Sequence, residues 1–70
     1  MSQWPSTRAR HVLAALLRTG WTVKRQTGSH RTLSRLGWPD YVFAFHDDDA
    51  LGPRMLIRIA KRTGLTPEDL

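Results

Sequence analysis

Trp21-Thr22-Val23-Lys24-Arg25-Gln26-Thr27-Gly28-Ser29-His30-Arg31-Thr32-Leu33-Ser34-Arg35 is the stretch that decides the fold. Trp21 to Arg25 alternates apolar and polar residues and is rich in β-formers, which predicts a strand. Gln26 to Ser29 predicts a turn, and His30 to Arg35 resumes an extended pattern. A second turn is expected at Gly37-Trp38-Pro39-Asp40, where Pro and Gly stand close together. Tyr41-Val42-Phe43-Ala44-Phe45 then carries the strongest strand signal in the chain. Its two apolar faces predict a central or well-covered strand.

Helices flank this β region. Thr7 to Thr19 is expected as an amphipathic helix, with Ser6 able to cap it and Gly20 following where a left-handed residue is wanted. Ala9, Val12, Leu13, Leu16 and Leu17 form one face at helical spacing, opposite Thr7, His11 and Arg18. His46-Asp47-Asp48-Asp49 breaks the sheet as a solvated turn. Gly52-Pro53 opens a second helix, with Pro at its first position. Leu56, Ile59, Ala60 and Thr63 form its buried face, and Arg54, Arg58, Lys61 and Arg62 lie opposite. Gly64 ends it, and Thr66 to Asp69 reads as the cap and first turn of a further helix. The order is α-β-β-β-α. An α+β fold follows, with a three-stranded antiparallel sheet and two helices on one face. The other sheet face is left for solvent or a partner.

The length of 70 residues allows one small domain, residues 1–70. With no cysteine, a disulfide scaffold and a thiolate zinc site are excluded. The longest apolar run, Val12 to Leu17, is far short of the ~20 residues that span a bilayer. Met1-Ser2-Gln3-Trp4-Pro5 lacks the basic start and apolar stretch of a signal peptide. No membrane association is expected, and a cytoplasmic location is. Eleven Lys and Arg stand against six Asp and Glu, for a net charge of +5. All the cations but Lys24 and Lys61 are Arg, whose planar fork fits phosphate. Such a balance points to nucleic acid or an acidic protein as partner.

His30 directly follows Gly28-Ser29. Gly28 permits a tight turn and the close approach of a phosphate. Ser29 can donate a hydrogen bond. Lys24, Arg25 and Arg31 would flank His30 and attract a phosphodiester. His11 reads as a surface residue. His46 stands beside three Asp, but the spacing fits no calcium loop, so no metal site is expected. Arg54, Arg58, Lys61 and Arg62 carry no interleaved acid, which leans towards binding rather than solvation alone. Trp38 is expected in a turn and exposed, while Tyr41, Phe43 and Phe45 suit the core better than base stacking. No glycine-rich phosphate loop, paired catalytic carboxylates or activated serine motif is visible.

The residues resemble the HicA (YcfA-like) toxins of bacterial toxin–antitoxin pairs. The likeness begins at Leu16-Leu17-Arg18-Thr19-Gly20-Trp21 and continues through Lys24-Arg25-Gln26-Thr27-Gly28-Ser29-His30. It resumes at His46 and runs through Gly52 to Leu65. The resemblance implies a fold like the double-stranded RNA-binding domain and a small ribonuclease that cuts messenger RNA. It implies neutralisation by a HicB-type antitoxin that covers the active face. His30 matches the family's catalytic histidine, and His46 a second histidine position. Ala44 stands where a proline is common, and Arg31-Thr32 where histidine or aromatic residues often follow.

The chemistry so implied needs no metal or cofactor in principle. His30 would act as base or acid, with Ser29 and His46 as accessory candidates. Lys24, Arg25, Gly28 and Arg31 are candidates for RNA contact. Trp38, Arg54, Arg58, Lys61 and Arg62 are candidates for RNA or antitoxin contact. The alternative is a non-catalytic RNA-binding or antitoxin-binding module on the same fold.

Overall fold

The computed structural model describes residues 3–70; Met1 and Ser2, which open the stretch read above as no signal peptide, lie outside the described residues. Strand β1 (Thr7–Arg8) leads into helix α1 (Ala9–Arg18), followed by β2 (Thr22–Thr27), β3 (His30–Arg35) and β4 (Trp38–Phe43). A short β5 (Ala50–Leu51), helix α2 (Pro53–Thr63) and a 3-10 turn at Pro67–Asp69 complete the chain. The main sheet is antiparallel in the order β2-β3-β4, and β1 pairs with β5 in a separate two-stranded ribbon. The α+β class and the α-β-β-β-α order therefore hold, with the small ribbon added.

Side chains alternate across a strand, and directly paired residues share a face. Leu33 pairs with Tyr41 and Arg31 with Phe43, on the face where Leu33 and Phe43 are fully buried. Val12 and Leu16 of α1 and Leu56 and Ile59 of α2 join them in one core. Both helices thus cover that face. On the other face, Thr27 pairs with His30 and Thr32 with Val42, and no element covers them. Val42 is half exposed there.

Several boundaries differ from the sequence reading, each for a physical reason. Helix α1 starts at Ala9 rather than Thr7, because Thr7 and Arg8 are drawn into pairing with Leu51 and Ala50. Ser6 makes no cap. The N–H groups of Ala9 and Arg10 donate instead to the carbonyls of Asp49 (2.8 Å) and Asp47 (3.1 Å). Ala15 is buried and Leu17 is exposed, since Leu17 lies about 100° further round the helix than Leu16. The first hairpin needs only Gly28-Ser29 as its loop, so Gln26 and Thr27 stay in the strand. Trp38 begins β4 rather than lying in a turn. Strand β4 is an edge strand, not a central one; its apolar outer residue Val42 meets solvent, and Phe45 packs edge-on against Phe43 beyond the strand end.

Trp21 locks the two ends of the fold together. It is 1% exposed, and its Nε1–H donates to the Thr63 carbonyl at 3.3 Å. Trp38 meets it edge-on, with ring centroids 6.0 Å apart. Gly64 ends α2 at φ +74°, and a Cβ there would lie 2.7 Å from Trp38 Cη2. Gly64→Ala thus adds a clash to a left-handed cost of about 1–2 kcal/mol. It should lower the urea midpoint clearly more than Gly37→Ala, where φ is also positive but the space is open. Equal losses would show that Trp38 yields freely.

The phenol of Tyr41, the only tyrosine, is pushed up from 10.0 by burial and eased back by the positive charge of Arg62. Its folded pKa is raised, so its stabilising share is full below about pH 10 and is lost as pH rises through the folded value. Tyr41→Phe should flatten the stability loss between about pH 9 and 11, read from urea midpoints.

Candidate nucleic-acid interface

The β2–β3 hairpin places the candidate centre. Thr27 and His30 face each other across a two-residue loop, and Gly28 takes φ +59° at its first position. That is the backbone glycine supplies at little cost in such hairpins. Gln26 Nε2 donates to the Gly28 carbonyl at 3.2 Å and props the loop. Nothing lies within 4 Å of where a Gly28 Cβ would be, so the loop is open to approach. Ser29 is half-buried. His30 is exposed, and its ring has no hydrogen-bond partner among the described residues.

The neighbouring cations fall into different environments. Arg25 pairs with Thr32 and shares the uncovered sheet face with His30; it has no ion-pair or hydrogen-bond partner among the described residues. Lys24 stands where the β2 register slips, and its Nζ pairs with Asp40 Oδ2 at 2.9 Å. Arg31 lies on the opposite, helix-covered face. Its Nη2 pairs with Asp47 Oδ1 at 3.2 Å, and its side chain is only 16% exposed. Its Nη1 is buried without a hydrogen-bond partner. The strand alternation that turns His30 outward turns Arg31 inward, so the fold does not bring together that pair of sequence candidates.

The acidic turn is tied down by arginines. Asp47 takes Arg31, the Asp48 carboxylate takes Arg10, and Arg8 donates to the Asp48 carbonyl at 2.7 Å. Asp49 Oδ2 accepts the His46 backbone N–H at 2.9 Å. These partners lie 16 to 40 residues apart for the arginine contacts, and no local pattern signals them. His46 itself is exposed. It follows β4, whose Phe43 pairs with Arg31, so His46 lies beyond the same end of the sheet as His30. No group of three His, Cys, Asp or Glu is placed to hold a metal ion among the described residues.

The aromatic residues of the 38–45 segment pack against their neighbours to different degrees. Phe43 is buried, Tyr41 and Phe45 pack against the core, and Trp38 touches Trp21 while the Arg35 guanidinium sits 5.6 Å above it. Trp38 remains 38% exposed. Arg54, Arg58, Lys61 and Arg62 are all exposed on α2. Open clefts of about 510 and 370 Å³ lie at the starts of α2 and α1. Neither includes His30, which stands on an open face. His11 lines the second cleft, with Thr7 Oγ1 3.3 Å from its Nδ1.

The sequence model of the family described as HicA toxin of bacterial toxin-antitoxin matches residues 9–65, from the first residue of α1 to the residue after Gly64. The chain belongs to the HicA toxin family. Its fold and its place in a toxin–antitoxin system stand together. No curated protein matches the chain. Within this HicA chain, the matched span takes in the His30 hairpin, the acidic turn and all of α2. No helix among the described residues is long and apolar enough to cross a membrane.

The Arg31–Asp47 pair is expected to brace the strand that carries His30. Asp47→Asn leaves a largely buried guanidinium without its carboxylate, at a cost of about 1–3 kcal/mol. The urea midpoint should fall accordingly, and the His30 ring resonances should shift by NMR. An unchanged midpoint would mean that Arg31 finds another acceptor.

Proposed function

We propose that this HicA chain acts as a single toxin domain over residues 1–70, an endoribonuclease of the cytoplasm that cleaves messenger RNA and is neutralised by a HicB-type antitoxin. The observation that carries the reading is His30: an exposed imidazole with a free ring, beside an open glycine loop, on the sheet face that neither helix covers. Arg25 shares that face and meets phosphate there. Lys24 joins it by exchanging Asp40 for a phosphate oxygen. Ser29 orients the phosphate or the imidazole.

The reaction is transesterification within the RNA. A base takes the proton of a ribose 2′-hydroxyl, whose oxygen attacks the adjacent phosphorus. The bond to the 5′-oxygen breaks, and an acid protonates that oxygen. Arginine forks balance the charge that gathers on the phosphoryl oxygens. The products are a 2′,3′-cyclic phosphate and a 5′-hydroxyl. His30 serves one of the two proton transfers, and His46, beyond the same sheet end, is the candidate for the other. No step calls for a metal or cofactor. Arg31 contributes through the position of its strand rather than by touching RNA.

His30→Ala tests this directly. Expression of the wild-type chain should arrest growth with messenger RNA cut, and the variant should do neither. In vitro, cleavage should fall by at least about 100-fold, the lower range for loss of a general acid or base. Because His30 is exposed, the variant's melting temperature should match the parent's. Arrest by both chains would move toxicity away from His30, towards RNA binding alone. Products with 5′-phosphate ends would replace the 2′-hydroxyl route by attack of water.

A further inference from the structure

The fold uses its cations unevenly. Arg10, Lys24 and Arg31 are ion-paired to aspartates. Arg8 and Arg18 donate to backbone carbonyls of Asp48 and Asp69, and Arg35 sits over Trp38. Among the described residues this leaves Arg25, Arg54, Arg58, Lys61 and Arg62 without a hydrogen bond or ion pair. Four of those five lie on α2. Arg62 alone has a charged influence, on Tyr41 beside it.

At 3.6 residues per turn, those four fall within an arc of about 100°. Leu56, Ile59 and Thr63 point the other way, into the core. Arg54, Arg58 and Arg62 form a row with about 6 Å of rise between successive members. That is close to the separation of successive phosphates on a nucleic-acid strand. An open cleft of about 510 Å³ lined by Gly52, Pro53, Arg54, Met55 and Arg58 continues the row at the first turn.

We infer that the outer face of α2 is a second RNA-docking surface, which grips the phosphodiester backbone away from His30. Helix α2 packs on the Leu33–Phe43 face of the sheet, whereas His30 points from the other face. The stripe therefore cannot supply groups to the reaction. It adds affinity for strands long enough to reach both sides of a molecule whose smallest extent is 17 Å. An acidic protein fits less well. Ile57, 40% exposed, is the most exposed apolar residue of α2, and a protein interface is more apolar at its centre. Like-charged side chains crowded in one row raise their own energy until a polyanion neutralises them. A row with no acid among its members is therefore unfavourable as mere solvation.

The inference rests on the ribonuclease reading only for the identity of the polyanion, and its test does not require cleavage. The probe is a fluorescent, fully 2′-O-methylated single strand, which lacks the attacking hydroxyl. Its binding to the His30→Ala chain is followed by anisotropy across a salt series. The triple variant Arg54→Gln, Arg58→Gln, Lys61→Gln should bind a strand of a few tens of nucleotides more weakly. Its log–log salt slope should be shallower by about 0.7 for each cation removed. Unchanged affinity and slope would overturn the inference, as would loss of affinity with an unchanged slope, which marks a distorted helix. Retained RNA binding with lost binding of poly-glutamate would assign the stripe to an acidic protein instead. If the α2 effect appears but the wild-type chain does not cut RNA, the docking surface stands and the ribonuclease reading falls.

Discussion

The burial of Trp21 is the constraint on which the rest of the molecule depends. The indole sits where α1 hands over to β2, and it is sealed from behind by Trp38 and by the end of α2. Burying so large a ring removes much apolar surface from water in a chain with little core to spare. The buried N–H must also find an acceptor, because an unpaired one would cost a large part of that gain. The Thr63 carbonyl supplies it, and that carbonyl is free only because α2 stops there. Gly64 makes the stop possible in the same place where Trp38 leaves no room for a side chain. One aromatic contact therefore fixes the length of α2, its position on the sheet and the start of the strand that leads to His30.

A second constraint is electrostatic. The chain has an excess of cations, and its acids are too few to pair them all. Three consecutive aspartates take charge of the N-terminal end of α1 and the start of β3. Their carbonyls replace the missing side-chain cap of α1, and their carboxylates hold Arg10 and Arg31. The exposed ion pairs among these add little stability each. Arg31, largely shielded from water, gains more from its partner. What folding consumes at this end leaves the charge of α2 and Arg25 unspent, on two different faces of a thin molecule.

Much of this was legible along the chain. Helix α2 announced itself through Pro53 at its first position, Gly64 at its end and the Leu56–Ile59–Thr63 face between. Strand β3 is legible from His30 to Arg35, and two amphipathic helices for one sheet imply an open sheet face. The misreadings share a cause. Val42, Ala44 and Phe45 look alike to a hydropathy pattern, but one faces solvent on an edge strand and another packs edge-on against Phe43. Trp38 reads as a turn residue because Gly37 and Pro39 flank it, yet its ring is needed behind Trp21. The cluster of Lys24, Arg25 and Arg31 around His30 was a grouping by sequence distance. Neighbours in a strand point to opposite sides, so Arg31 and His30 part company.

By itself, the sequence determined the order of elements, the excess of positive charge, the Gly28-Ser29-His30 hairpin and the likeness to HicA toxins. Those are local or compositional properties, written in periodicity, turn chemistry and residue counts. Only the tertiary structure decided which cations are spent on folding and which remain free. It decided that β3 and not β4 is central, and that the α2 stripe and His30 lie on opposite sides of the sheet. These depend on partners up to 51 residues apart and on which face each strand turns to the helices. Contacts at that separation leave no periodic trace in the chain, because they are set by the packing of elements and not by the residues beside them.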